Sequence, residues 1–416
     1  MERVMKDSEI EWIGLIPEDW KMIKYKYLGA LQSGYPFDSA RFNSFKGFPL
    51  IRIRDITSGE INTFYDGDFP EEYIVKSGDL LIGMDGDFNV REWSNKDALL
   101  NQRCCRVIPY EKVLKRFIMY YVQRPLKYIN DLTYSTTVKH LSNEKINEIY
   151  VCVPEVEEQE KIVKFLDEKV EEIDKIINAT KESIDVYKKY EQAVITEVIT
   201  QGLDKSVVII DTDNIHIPKI PAHWQMKKMK YIFEIKKDIA GKEGYDILSI
   251  TQKGIKIKDI SKNEGQLAQN YSNYQLVDIG DFAMNHMDLL TGWVDISKYA
   301  GVTSPDYRVF RFIDATGYDA DYYLYLMQMC YMNRIFYGLG QGVSNLGRWR
   351  LQADKFLNFT IPEPPLKEQQ EIAKYLSARC TEIDALIAKK EAFVSEMEAY
   401  KKSLIYEYVT GKKEVL

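Results

Sequence analysis

The feature that most constrains this chain is that it is written twice. Ile16-Pro17-Glu18-Asp19-Trp20-Lys21-Met22 recurs 204 residues later as Ile220-Pro221-Ala222-His223-Trp224-Gln225-Met226, and Lys24, Lys26 and Tyr27 recur as Lys228, Lys230 and Tyr231. Gly78-Asp79 returns as Gly280-Asp281 and Arg106-Val107 as Arg308-Val309, both 202 residues on. Glu158-Gln159, Ile162, Leu166, Ile173-Asp174 and Tyr190 return after 210 as Glu368-Gln369, Ile372, Leu376, Ile383-Asp384 and Tyr400. The order never changes and the offset drifts by only a few residues. An ordered repeat of this length predicts two equivalent structural units, each large enough for its own core.

Each half has two parts. The first is rich in Tyr, Phe, Gly and Asp, and carries short stretches such as Leu50-Ile51-Arg52-Ile53-Arg54-Asp55-Ile56, punctuated by Ser77-Gly78-Asp79 and Asp85-Gly86-Asp87. Such stretches read as strands joined by turns. With helices expected near 112–129 and 319–337, the class is α+β. The second part is one long helix. Leu166, Ile173, Ile177, Ile184, Tyr187 and Val194 fall on a heptad seam, and Leu376, Ile383, Ile387, Val394, Met397 and Leu404 repeat it in phase, because 210 is a whole number of heptads. Thr180 and Glu191 interrupt the first seam, Lys390 and Lys401 the second. The expected boundaries are 1–155, 156–202, 203–364 and 365–416. A helix over 157–200 would be about 65 Å long. One such seam has no partner alone, so the two helices are expected to pair. A pseudo-two-fold relation between equivalent halves makes the pair an antiparallel coiled coil, with the two α+β domains held apart at its ends.

A net −7 alone would argue against an anionic partner, but the charge is uneven along the chain. Residues 1–155 hold 21 Lys and Arg against 23 Asp and Glu, residues 205–365 hold 19 against 18, and the remainder carries most of the acidic excess. The globular parts are therefore near neutral and would bind nucleic acid weakly unless a basic partner shared the phosphate contacts. Five cysteines without a CxxC pair and four scattered histidines argue for reduced thiols, a cytoplasmic location and no metal site. Neither a secretory h-region nor an apolar run of spanning length is present.

Catalytic signatures are missing: no phosphate-binding GxxxxGK[ST], no HExxH, no nucleophile elbow and no Asn/Asp-Pro-Pro-aromatic stretch. Gly338-Leu339-Gly340-Gln341-Gly342 follows a helical segment instead of a strand, so it reads as a turn and not a dinucleotide loop. Pro305-Asp306 lacks the Asp/Glu-x-Lys that a nuclease cluster would need. Trp20 and Trp224 read as buried anchors. Several groups instead have the composition of DNA contacts. Arg52 and Arg54 would share one strand face; Arg91, Lys96, Asn101, Gln102 and Arg103 form a polar-basic group. Ser135, Thr136, Thr137, Lys139 and His140 combine hydroxyls with cations, and the repeat partner supplies Ser344, Asn345, Arg348, Trp349 and Arg350.

Over its full length the chain resembles the specificity subunits of type I restriction-modification systems. The resemblance rests on Ile-Pro-x-x-Trp opening each half, on the Gly-Asp pairs, on Leu100-Asn101-Gln102-Arg103 and Gly301-Val302-Thr303-Ser304-Pro305, and on Pro154 to Glu158-Gln159 with Pro362 to Glu368-Gln369. It implies a non-catalytic subunit with two target recognition domains, each reading one half of a bipartite site in double-stranded DNA. The paired helices would set the spacer and dock two modification subunits. S-adenosylmethionine would bind those modification subunits, restriction/translocase subunits would add ATP- and Mg-dependent work, and no membrane would be involved. The competing class is a structural scaffold whose end domains bind protein or glycan, which near-neutral domains would suit. A self-sufficient methyltransferase is argued against by the missing motifs.

Overall fold

A computed structural model describes residues 3–110, 113–132, 139–259, 270–342 and 349–415. The chain divides into two compact units, Met1–Thr180 with Ala392–Leu416, and Lys181–Glu391, so both divisions fall inside the long helices. Each unit is α+β.

In the first unit an antiparallel sheet has the strand order Val90–Glu92, Leu80–Gly83, Cys104–Pro109, Gly29–Ser33. Leu80–Gly83, one of the two inner strands, is apolar at every position and buried throughout. A second sheet of five short strands includes one parallel pair, Phe48–Ile51 beside Ala98–Leu100. Helix Lys115–Leu132 buries Phe117, Ile118, Tyr121, Val122 and Leu126, a single apolar stripe at helical spacing.

The second unit repeats the order with Val294–Ile296, Phe282–Met284, Arg308–Phe312 and Phe233–Lys236. Helix Ala320–Met332 packs on this sheet, its Tyr323 meeting Phe233 edge-on, while Phe282 lies edge-on to Phe233 and stacked on Phe310.

Three repeated motifs have the same physical role in both units. In each Gly-Asp pair the glycine takes a positive φ, 88° at Gly78 and 93° at Gly280. The following carboxylate then closes the turn, Asp79 accepting from Lys76 N at 2.9 Å and Asp281 from Asp278 N at 2.8 Å. The tryptophans are buried, as expected, and each indole N–H donates to the glutamate that begins a long helix: Trp20 to Glu158 at 3.0 Å, Trp224 to Glu368 at 2.9 Å. The adjacent glutamines are also buried. Gln159 accepts from Leu114 N and donates to Pro154 O, while Gln369 accepts from Asp319 N and donates to Pro364 O. Glu-Gln therefore fastens domain to helix.

The long helices are Val156–Gln201 and Leu366–Val409. In the first unit Phe165 packs on Tyr408 with ring centroids 4.5 Å apart, and Lys401 Nζ reaches Asp174 at 2.7 Å. In the second, Lys188 faces Glu391 at 3.7 Å and Arg379 donates to Tyr190 Oη at 3.1 Å. Rising numbers meet falling ones in both units, so the segments pair antiparallel. Of the twelve seam positions, Tyr187 and Met397 are half-buried and the other ten are buried. The lysines that interrupt the seam have partners on the opposite helix: Asp174 for Lys401, and the Tyr187 ring, 5.6 Å away, for Lys390. Each helix ends on a glycine against a tryptophan, Gly202 beside Trp224 and Gly411 beside Trp20 and Pro17. Both are left-handed, with φ of 73° and 68°.

Two expectations need correction. Leu50–Ile56 is not one strand: the strand ends at Ile51 and a helix runs Ile53–Ser58. Asp55 accepts from Arg52 N at 2.8 Å, and Gly59 at φ 79° donates to Asp55 O, which together close a helical turn. Arg52 and Arg54 therefore do not share a strand face. The second correction concerns register. Cys105 pairs with Ser33 and Ile82, whereas Arg308 pairs with Met284 and Val309 with Lys236. The strand ends agree, since Tyr110 N donates to Leu28 O and Ile313 N to Ile232 O. Arg308 thus occupies the position of Cys105, not of Arg106. A one-residue slip reverses the face of a strand residue, so the two arginines point to opposite sides.

Candidate functional site

The sequence-predicted residues of the first unit gather in two places. One surrounds the short helix Ile53–Ser58. Arg91 donates through Nη2 to Thr57 O at 2.7 Å and through Nε to Ile56 O, so its guanidinium caps this helix's C-terminus. Arg54 donates to Thr63 Oγ1 at 3.1 Å. Arg52 is exposed beside it, and Lys96 is exposed on the loop where its carbonyl accepts from Trp93 Nε1.

The other place joins three segments distant in sequence. His140 Nδ1 lies 2.7 Å from Asp85 Oδ1, Arg103 Nε lies 3.6 Å from Asp85 Oδ2, and Arg103 Nη1 lies 3.5 Å from the same imidazole nitrogen. Asp85 is largely buried, while Arg103 and His140 keep about half their side chains in solvent. A sunk carboxylate thus orients two exposed nitrogen-bearing side chains. Lys139 Nζ donates to Asn130 O at 2.6 Å and to Asn130 Oδ1 at 3.0 Å, and Gly86 N donates to Lys139 O. Asn101 is buried and accepts from Gln102 N through Oδ1, which turns the chain and leaves Gln102 and Arg103 outward. Its carbonyl lies against Gly34, where an added Cβ would come within 2.0 Å of Asn101 O.

The second unit builds the corresponding place from different side chains. Leu141 N donates to Met84 O in the first unit, and Leu351 N to His286 O in the second, so Arg350 stands where His140 does and His286 where Met84 does. Thr303-Ser304-Pro305-Asp306 occupies the turn of Leu100-Asn101-Gln102-Arg103, given that Val277 pairs with Gly301 as Val75 pairs with Ala98. Trp349 and Arg350 form a short exposed strand against Gln341–Gly342, with Trp349 packed on Tyr337 at 5.0 Å. Beneath them His286 and Arg308 are both 5% exposed. Arg308 donates through Nη2 to Leu351 O at 2.8 Å and lies 5.0 Å over the Phe356 ring. Burial lowers its pKa to about 10, with Arg350 adding to the effect. His286 is pushed down to about 3, by burial first and then by the charges of Arg308 and Arg350, so it is neutral at pH 7.

Ser135, Thr136, Thr137, Ser344, Asn345 and Arg348 lie outside the described residues. Sequence reasoning missed Asp85, Asn130, His286 and Arg308 as members of these places. In sequence Asp85-Gly86 signals only a turn, and Arg308 only the repeat. Chemically, both places can offer hydrogen-bond donors and cations to an anionic, acceptor-rich surface. Among the described residues no group of three or more His, Cys, Asp or Glu could hold a metal ion.

Comparison with known proteins agrees with this duplicated architecture. The family model for the type I restriction modification DNA specificity domain matches twice, at residues 17–185 and 221–394. The EcoBI type I restriction enzyme specificity subunit of Escherichia coli is 33% identical over 260 residues, which cover 61% of this chain and 53% of that protein. The chain thus spans about half the length of that relative. The MjaVIII specificity subunit of Methanocaldococcus jannaschii is 22% identical over 96% of this chain and 94% of its own. A chain solved in work on complex assembly and conformational transition of the type I R-M system superposes with a TM-score of 0.63 at 16% identity, covering 96% of this chain and 99% of that one. Two matched domains in one chain, over most of its length, show that this protein belongs to the family of type I restriction-modification specificity subunits.

Proposed function

We propose that this chain is the sequence-specific DNA-binding subunit of a type I restriction-modification complex, reading a bipartite site with one domain per half-site. The single observation that carries the reading is the pair of DNA specificity domains in one chain, built on one frame but with different exposed side chains. His140 and Arg350 occupy equivalent positions, as do Gln102-Arg103 and Pro305-Asp306. Different side chains on the same backbone imply two unlike half-sites and hence an asymmetric target. The two modification subunits dock on the paired helices, where the outward Glu and Lys residues supply the polar surface. Those subunits carry S-adenosylmethionine and the methylation chemistry, and restriction/translocase subunits bring ATP and Mg. This chain is non-catalytic and cytoplasmic. No helix among the described residues is long and apolar enough to cross a membrane.

The test is to map modified adenines in a methylation-free host that expresses this chain with its modification subunit, against the modification subunit alone. A bipartite motif that appears only with this chain is the expected outcome. An assembled complex that adds no methylation overturns the reading and favours a scaffold.

A further inference from the structure

The two reading edges differ in one respect that their shared frame does not require. In the second unit a cleft of about 490 Å³ opens beside the strand Trp349–Arg350, a size typical of ligand sites. Lys237, Gln275, His286, Arg308, Arg350 and Gln352 contribute to its wall, and no carboxylate does among the described residues. Lys236 also borders it, but its ammonium is taken up by Asp278 and by Asp281, the latter at 2.9 Å. Among the described residues no carboxylate pairs with Arg308, whose hydrogen bond goes to Leu351 O. The carboxylates Asp306 and Asp288 act on Tyr307, whereas Arg350 adds a like charge near Arg308.

Two buried polar atoms here have no hydrogen-bond partner among the described residues, Arg308 Nη1 and His286 Nδ1. A buried guanidinium with an unused N–H and no carboxylate is costly unless an anion completes it. A neutral base edge would fill the hydrogen bond but leave the charge. A phosphate oxygen answers both, and Arg350 and Lys237 stand at the mouth, exposed, to hold the rest of the group. Among the described residues the first unit has no counterpart, because Cys105 and Met84 occupy the positions of Arg308 and His286.

We infer that this cleft holds one backbone phosphate of the DNA beside the half-site read by the second domain, with Arg308 as its buried anchor. The inference rests on the DNA-reading function proposed above. It makes the second domain's grip partly independent of base sequence and the first domain's grip dependent on its exposed edge alone.

The test uses the full chain assembled with its modification subunits on a duplex bearing the mapped site, with single methylphosphonate linkages placed in turn along both half-sites. Neutralising one linkage at the second half-site should weaken wild-type binding roughly tenfold. Arg308→Met should weaken binding by a similar factor, abolish the effect of that linkage and lower the slope of log affinity against log salt by about 0.9. Base preference should not change. Arg350→Ala, on the exposed strand, should shift the same linkage in the same direction and serves if Arg308→Met does not fold. Wild-type slope and linkage sensitivity in both variants would overturn the pocket alone, and so would a changed preference for one base, which would make Arg308 a base reader. A complex that binds DNA without sequence preference would sink the DNA-reading function together with the pocket.

Discussion

The two corresponding exposed edges of this molecule, one in each unit, share a backbone and differ in how they manage charge. In the first unit Asp85, mostly buried, faces Arg103 and His140, so the cations at that edge are oriented from below by a carboxylate. In the second unit Arg308 and a neutral His286 are buried, while Arg350 is exposed. The buried charge has changed sign while the hydrogen bonds of the frame, Leu141 to Met84 and Leu351 to His286, are kept. The lesson is that a duplicated domain can diverge in what it presents to a ligand without altering its strand order. The frame residues are few and polar-specific: Trp20 with Glu158, Trp224 with Glu368, and the two Gly-Asp turns.

The largest effect should come from breaking the shared frame. Trp20→Ala and Trp224→Ala should each cost about 3–5 kcal/mol through the cavity left by a buried indole and the loss of its glutamate partner. Thermal unfolding of both variants checks this, and a loss below about 1 kcal/mol in either half would end the claim that the frame is equivalent. A sharper contrast lies in the two arginines that the repeat aligns. Arg106 donates to Gln32, Ile74 O, Asp79 and Glu72 O, so Arg106→Met should destabilise by about 2–3 kcal/mol. Arg308→Met removes an uncompensated buried charge and should leave stability within about 1 kcal/mol of wild type, or raise it. Equal losses in the two variants would contradict the register correction.

The smallest effect concerns the seam. Lys401 with Asp174 in the first unit and Lys390 with Tyr187 in the second are different solutions to the same polar intrusion. Double-mutant cycles should give couplings of about 0.5 kcal/mol for each. The first should shrink in 1 M salt because its groups are part-exposed and screened. A coupling near zero for both would mean that the lysines are tolerated and not partnered.

Much of the fold was legible because it depends on period and repetition. The heptad seam, the helices at 115–132 and 320–332 and the duplicated α+β units all follow from spacing that local physics enforces. Leu50–Ile56 misled because Ile-Arg-Ile-Arg alternates like a strand, while a single carboxylate, Asp55, and Gly59 close a helical turn there. The candidate sites were half legible. Composition marks Arg103 and His140 separately, but their meeting over Asp85 joins positions 37 and 55 residues apart.

That this protein is a tandem of two equivalent units, and that its long helices carry matched seams, can be read directly along the chain. Repetition and periodicity are written along the chain, and every residue of a heptad reports its own face. The side of the strand that Arg308 occupies cannot be read that way, because β register is set by partners far away in sequence, and one residue of slip exchanges buried for exposed. That choice turned a repeated arginine into a buried cation.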